Sequence, residues 1–163
     1  MPAPEITVVQ LNLYRMRWRW RERARLVLDE LQQLAPDVVT LQEVAPFRCQ
    51  AQWLARQVNR RLPGHRYRAY VSRKQGWRGL LEGVAVLSRL PVRRFASHPI
   101  GDTRVAQRIV LRVADRDITL INTHLSAGGD ARETRIAQAH HIVARLPAGR
   151  VPLVVAGDLN AQP

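Results

Sequence analysis

Short apolar runs alternate with stretches of helical periodicity along the whole chain. Ile6-Thr7-Val8-Val9-Gln10-Leu11-Asn12-Leu13 reads as a strand. From Arg21 to Leu34, Ala24, Leu28, Leu31 and Leu34 recur at helical spacing, and Pro36 follows closely, so a helix is predicted there. Asp37-Val38-Val39-Thr40-Leu41-Gln42-Glu43 is a mostly apolar strand, the pattern of a segment buried on both faces. A second helix is predicted from about Phe47 to Leu62, with Ala51, Leu54, Val58 and Leu62 on one face and Pro63-Gly64 ending it.

The middle of the chain is β-rich. Arg66 to Val71, Gly83 to Ser88 and Val92 to His98 read as strands. From Val105 to Val113 the pattern alternates, with Ile109, Leu111 and Val113 opposing Arg108 and Arg112. The turn residues Asp115-Arg116-Asp117 lead into Ile118 to Leu125, which predicts a hairpin. In a third helix, Asp130 and Glu133 have capping-box spacing, Arg132, Ile136, Ala139, Val143 and Leu146 share a face, and Pro147 closes the segment. Pro152 to Ala156 is a last strand, running into Gly157-Asp158-Leu159-Asn160. Strands mixed with helices, without a repeat or a linker, predict a single α/β domain with helices packed on sheets.

Composition bounds the functional classes. A chain of 163 residues with 46% apolar residues can bury a proper core. No apolar run approaches the roughly 18–20 residues of a membrane span, so no integral membrane segment is expected. The N-terminus, Met1-Pro2-Ala3-Pro4-Glu5, lacks the basic-then-apolar order of a signal peptide, and a cytoplasmic location is the expectation. The single cysteine, Cys49, has no partner for an internal disulfide and reads as a small half-buried apolar residue. The formal net charge of +13 is almost wholly arginine, Lys74 being the only lysine. A field of that sign attracts nucleic acid or another phosphorylated polyanion, and guanidinium forks suit phosphate oxygens.

Several apolar strands end in residues that an apolar strand does not need: Asn12, Glu43, His124, and the pair Asp158 and Asn160. Ligand sites in α/β sheets form at the carboxyl ends of strands, where the loops diverge. Each residue alone is ordinarily a turn former, a solvated side chain or a structural histidine. Together they form an oxygen-rich set suited to a hard cation and a phosphate, since Mg²⁺ takes only one or two protein carboxylates. In such a site Asp158 could hold or deprotonate an attacking water, and Asn160 could donate to a phosphoryl oxygen. His65, His98, His140 and His141 show no ligand spacing with carboxylates, and the last two read as ordinary helix residues.

The set and its order resemble the endonuclease/exonuclease/phosphatase superfamily. The resemblance runs through Leu11-Asn12, Pro36-Asp37-Val38-Val39-Thr40-Leu41-Gln42-Glu43-Val44 and Gly83-Val84-Ala85-Val86-Leu87-Ser88-Arg89-Leu90-Pro91. It continues through Asn122-Thr123-His124-Leu125, Arg135 with Gln138, and Gly157-Asp158-Leu159-Asn160-Ala161, and so spans nearly the whole chain. It implies a four-layer α/β/β/α sandwich: two packed, mostly antiparallel β-sheets with outer helices. It also implies a Mg²⁺-dependent phosphoester hydrolase, with Mn²⁺ as the alternative ion. Glu43 would be the principal metal ligand with Asn12 beside it, His124 would contact the scissile phosphate, Asp158 would orient or deprotonate the water, and Asn160 would bind the phosphate. The family's closing Ser-Asp-His segment has no counterpart before Pro163. The expectation is therefore one domain over residues 1–163, incomplete at its C-terminus and poorly active by itself.

Within the family, the Thr123-His124-Leu125 motif resembles the branch of nonspecific nucleases, sphingomyelinases and phosphoinositide phosphatases. The charge favours a phosphodiesterase acting on nucleic acid; a phosphomonoesterase or lipid phosphoesterase, and a basic module that binds nucleic acid without cutting it, are the alternatives. Arg15, Arg17, Arg19, Arg21, Arg23 and Arg25, interleaved with Trp18 and Trp20, follow Asn12 directly. They could pair with phosphates and stack on exposed bases, or form a solvated helix start with its tryptophans on the core. No protein partner is inferred.

Overall fold

The computed structural model describes residues 5–146, 149 and 151–161. Met1 to Pro4, Pro147 and Pro163, on which some expectations fell, lie outside the described residues. The first sheet contains β1 (Val8–Asn12), β2 (Val38–Val44), β3 (Arg68–Arg73) and β4 (Gly83–Ser88), in the order β1-β2-β4-β3. The second contains β5 (Val92–Gly101), β6 (Arg104–Val113), β7 (Arg116–His124) and β8 (Leu153–Asp158), in that order. β1 runs parallel to β2 and β7 parallel to β8; the other pairings are antiparallel.

Helices α1 (Trp20–Leu34) and α2 (Gln50–Arg61) lay Ala24, Leu28 and Leu31, and Ala51, Leu54 and Val58, against the outer face of the first sheet. Val39, Leu41, Ala85 and Leu87 receive them there. On the opposite face Val38 and Val86 meet Ile109, Leu111 and Leu120 of the second sheet. β2 is thus apolar on both faces because both are covered, as its continuous run predicts. A later helix, α4 (Arg132–Val143), closes the fourth layer by setting Ile142 among Ile100, Ala106 and Ile121. Each fully buried aliphatic side chain contributes about 1.5–3 kcal/mol to holding these layers together.

Three expectations need correction. The apolar stripe read on the third predicted helix, α4, is not its core face: Ile136 and Val143 are 46% and 64% exposed, while Gln138 and Ile142 are buried. The helix is oriented by hydrogen bonds, because Gln138 Oε1 accepts from the Ser126 backbone N–H at 2.9 Å and its amide donates to Ser126 Oγ at 2.9 Å. The second helix is broken near its start. A 3₁₀ turn over Pro46–Arg48 precedes it, and Cys49, at φ 48°, separates the two. Cys49 is accordingly exposed, not half-buried. A four-residue helix α3 (Arg78–Leu81) was not anticipated, being too short to show a period.

Several motif residues serve the fold. Asp37 accepts from the Thr7 backbone N–H at 2.8 Å and pairs with Arg89 at 2.8 Å, locking the start of β2 to the turn after β4. Gly157 sits at φ 144°, and a Cβ there would lie 2.1 Å from the carbonyl oxygen of Thr123. Only glycine lets β8 approach β7 closely enough to set Asp158 beside His124.

Candidate active site

The two parallel strand pairs carry their carboxyl ends to one edge of the sandwich. Asn12 ends β1, Glu43 lies one residue from the end of β2, and His124 and Asp158 are paired ends of β7 and β8. Asn12 joins the two sheets here: its amide Nδ2 donates to Asp158 Oδ2 at 3.0 Å and faces Glu43 Oε1 at 3.3 Å. Its Oδ1 accepts from the Tyr14 backbone N–H at 2.9 Å, which fixes which end of the amide faces the carboxylates.

Local backbone chemistry aims these groups. The β2–β4 register shifts between Leu41 and Val44, and within that bulge Glu43 takes φ 49°. A bulge re-aims a side chain at a sheet edge, and a left-handed glutamate persists only where its surroundings hold it. Here the Leu13 N–H donates to the Gln42 carbonyl at 2.9 Å and the Arg15 N–H to the Glu43 carbonyl at 2.7 Å. Asn160, also left-handed at φ 49°, donates its backbone N–H to Asp158 Oδ1 at 3.0 Å. Its side-chain amide donates to the Leu125 carbonyl at 2.9 Å, which leaves one N–H for another acceptor.

Beneath these residues runs a chain of buried amides. Gln10 donates to Gln42, Gln42 Nε2 donates to Asn122 Oδ1 at 2.8 Å, and Asn122 Nδ2 donates to the Ala85 carbonyl at 2.9 Å and to Gln107 Oε1 at 3.2 Å. Gln42, Gln107 and Asn122 are fully buried. The chain crosses from one sheet to the other, and Gln42 and Asn122 lie close to Glu43 and His124 in sequence.

A second carboxylate cluster borders the first, and sequence reading missed it. Glu82 hydrogen-bonds Lys74 and lies 3.7 Å from Arg104 Nη1, 3.8 Å from Arg15 Nε and 3.9 Å from His124 Nδ1. The signals available were the lone lysine and a glutamate placed directly before a fully buried strand. Burial pushes the Glu82 carboxyl up, but the hydrogen bond and charge of Lys74, with Arg104 and Arg15, hold it below the ordinary range. Asp158 is likewise pushed up by burial and brought down on balance by its bonds from Asn12 and the Asn160 N–H, with smaller help from His124 and Arg104. Both are carboxylates at neutral pH.

His124 is shifted down, to about 4, chiefly by burial and then by the Arg104 charge; Asp158 and Glu82 oppose the shift. It is therefore a neutral imidazole at pH 7, with Nε2 3.8 Å from Asp158 Oδ2. The unfolded chain binds a proton at this site near pH 6.5 and the folded chain only near 4, so stability rises with pH across that window. Acidification from about pH 7 towards 4.5 is expected to lower the denaturation midpoint in metal-free buffer, and His124→Gln to flatten the profile. The lowered carboxylates add their loss only as the pH falls through the ordinary carboxylate range and below it. A wild-type profile unchanged between about pH 7 and 5 would contradict the burial of a neutral His124.

The arginine-rich segment divides by role. Arg23 turns inward and donates to the carbonyls of Leu13 at 2.6 Å and Trp18 at 3.0 Å, with its guanidinium 5.6 Å from the Trp20 ring. Trp20 is buried against Trp53, so it cannot stack on a base, whereas Trp18 is 80% exposed. Arg19 pairs with Glu22 at 2.8 Å. Arg21 and Arg25 are exposed on α1, Arg17 is exposed, and Arg15 leans between Glu43 and Glu82.

The model of the endonuclease/exonuclease/phosphatase family matches residues 9–163. The chain belongs to that family. Members of this family are hydrolytic phosphoesterases, generally dependent on a divalent metal. No curated protein matches the chain in sequence. Among solved structures, it is similar to the human Nocturnin catalytic domain with bound sulfate, at TM-score 0.81 and 24% identity over 98% of this chain and 65% of that one. D. rerio TDP2 complexed with a single-strand DNA product gives TM-score 0.79 and 18% identity over 97% and 62%. A Bacteroides thetaiotaomicron mannosyl-6-phosphatase gives TM-score 0.76 and 15% identity over 96% and 66%. These likenesses establish the shared sandwich fold. The chain spans 65% of the Nocturnin domain's length.

The donor set can be tested against the family's metal. Among the described residues no group of three His, Cys, Asp or Glu side chains is placed to hold a metal ion by itself. Glu43 and Asp158, linked through one amide and with side chains 18% and 30% exposed, offer hard oxygen atoms with room for water. That is the environment Mg²⁺ favours. Also among the described residues, no helix is long and apolar enough to cross a membrane.

Proposed function

We propose that this chain carries the metal site of a Mg²⁺-dependent phosphodiesterase acting on nucleic acid, with Mn²⁺ able to substitute. The observation that carries the reading is Asn12 held between Glu43 and Asp158, with His124 Nε2 alongside Asp158 at 3.8 Å. Glu43 would hold the ion as principal ligand. Asn12 would keep Glu43 and Asp158 in register beside the ion. When bound, the ion would polarise a phosphoryl oxygen and offset the charge developing there.

The protein's own groups supply the rest. Asp158, held as a carboxylate of lowered basicity, suits orienting the attacking water better than removing its proton outright. The neutral His124 can present an N–H to a phosphoryl oxygen without the desolvation cost of a charged imidazolium. The remaining N–H of Asn160 is a second such donor. Arg15, Arg17 and the overall charge of +13 favour a polyanionic substrate. That TDP2 is seen with a single-strand DNA product adds support, while the mannosyl-6-phosphatase neighbour favours the phosphomonoesterase reading.

A panel of plasmid DNA, single-stranded DNA, RNA, sphingomyelin and sugar or inositol phosphates, with and without Mg²⁺, separates these readings. We expect metal-dependent cleavage of nucleic acid, faster in a version extended to the relatives' length than in residues 1–163 alone. Preference for a monoester or a lipid would overturn the substrate assignment; binding of nucleic acid without hydrolysis of any member would overturn the enzymatic one.

A further inference from the structure

A cleft of about 340 Å³ opens beside the candidate active site and is bordered by Arg15, Arg17, Lys74, Arg78, Trp77 and Leu81, with Glu82 also lining it. Its four cations face one carboxylate, so the cleft carries a marked excess of positive charge. Glu82 is already shared among Lys74, Arg104 and Arg15. Among the described residues, Arg15 Nε is buried without a hydrogen-bond partner, with carboxylate oxygens of Glu82 at 3.8 Å and of Glu43 at 3.9 Å. A buried guanidinium N–H without a partner is costly, and an anionic oxygen entering the cleft would satisfy it.

The cleft's wall has a different chemistry. Trp77 is 70% exposed and Leu81 51% exposed, with the Arg78 guanidinium 5.8 Å from the centre of the Trp77 ring. An indole left in water beside a cationic cleft matches the pairing of a phosphate-binding groove with a base-stacking platform. Arg15 belongs both to this cleft and to the surroundings of Glu43, so an occupant would lie next to the phosphate at the reaction centre.

We infer that this cleft is a nucleotide subsite, in which Arg15, Arg17 and Lys74 take the phosphate flanking the scissile one and Trp77 stacks on its unpaired base. The inference rests on the nucleic-acid reading above and narrows it to single strands. In a duplex the base edges are paired and the faces stacked, so reaching Trp77 would require unpairing a base, which disfavours duplex substrates. Arg17, exposed and without an ion-pair partner among the described residues, supplies the salt-sensitive part of the contact.

The test is binding of fluorescently labelled single-stranded and duplex oligonucleotides in EDTA, read by anisotropy. The wild type is expected to prefer the single strand by roughly tenfold or more. Trp77→Ala should weaken single-strand binding by roughly tenfold, the scale of one lost stacking contact, and Trp77→Phe should restore most of it. Arg17→Gln should flatten the log–log salt dependence for single strands by about 0.7. Equal wild-type affinity for the two forms, or wild-type affinity in Trp77→Ala, would overturn the subsite. These measurements need no metal or turnover. Mg²⁺-dependent hydrolysis of bis(p-nitrophenyl) phosphate by the wild type tests the underlying enzymatic reading separately.

Discussion

Replacing Glu43 by glutamine is expected to lower Mg²⁺-dependent phosphodiester hydrolysis by about two to three orders of magnitude, compared at equal chain length. The substitution keeps the shape of the side chain and removes its charge. Asn12 Nδ2 could still face the oxygen of the new amide, and the backbone bonds from Leu13 and Arg15 that hold the bulge would be untouched. Stability should therefore stay close to wild type while the ion loses its principal ligand. A large fall in the melting temperature would instead mean that the Glu43 charge serves the fold, through its approach to Arg15 at 3.9 Å. A partly exposed ion pair at that distance is worth little, so this outcome is not expected.

Asn122→Leu should have the largest effect on stability. Leucine has the same branched arrangement of side-chain heavy atoms as asparagine and suits a buried strand, yet it strands the groups that Asn122 serves. Gln42 Nε2 would lose its acceptor at 2.8 Å, and the Ala85 carbonyl its donor at 2.9 Å. Each buried polar group left without a partner costs about 1–3 kcal/mol, so about 2–6 kcal/mol is expected from chemical denaturation. That is a large share of the roughly 5–15 kcal/mol typical of a domain. Residual activity per folded molecule should also fall, because the amide chain ties the strand carrying Glu43 to the one carrying His124. Unchanged stability would show that water or a rearranged Gln107 replaces the lost bonds.

What the sequence disclosed and what it withheld follow one geometric rule. The convergence of Asn12, Glu43, His124 and Asp158 on one edge was legible because parallel strands put their carboxyl ends there, where a polar residue after an apolar run stands out. Glu82, Lys74 and Arg104 reach that edge from antiparallel strands: Glu82 precedes β4, Lys74 follows β3 and Arg104 begins β6. No local pattern distinguishes such positions from ordinary turn residues. The buried amides Gln42, Gln107 and Asn122 interrupt apolar strands as polar residues with nothing in sequence to say that they meet. The bulge that turns Glu43 to φ 49° is equally silent, since a glutamate carries no mark of a left-handed backbone.

The arginine segment shows the opposite limit. Its pattern was conspicuous, yet composition could not sort Arg23, which braces the loop through three backbone carbonyls, from Arg17, which faces a cleft. Likewise Trp18 and Trp20 differ by two positions and by the whole distance from solvent to core. On α4, apolar residues at helical spacing pointed away from the core because Gln138 and Arg135 hold the loop after β7. Arg135 donates to the Ser126 carbonyl at 3.2 Å and the Gly128 carbonyl at 2.9 Å. Periodicity reports a core face only when packing, and not a polar tether, sets the helix's rotation.

The assignment of this edge as a metal-dependent phosphoester site stands most directly on whether it binds the ion. Mg²⁺ titrated into the metal-free 163-residue chain by calorimetry tests this without requiring turnover. The expected result is saturable binding of one Mg²⁺ per chain in the wild type and its loss in Glu43→Gln, with both proteins equally folded. Binding of equal affinity in the two proteins, or no binding to the folded wild type, would contradict the site.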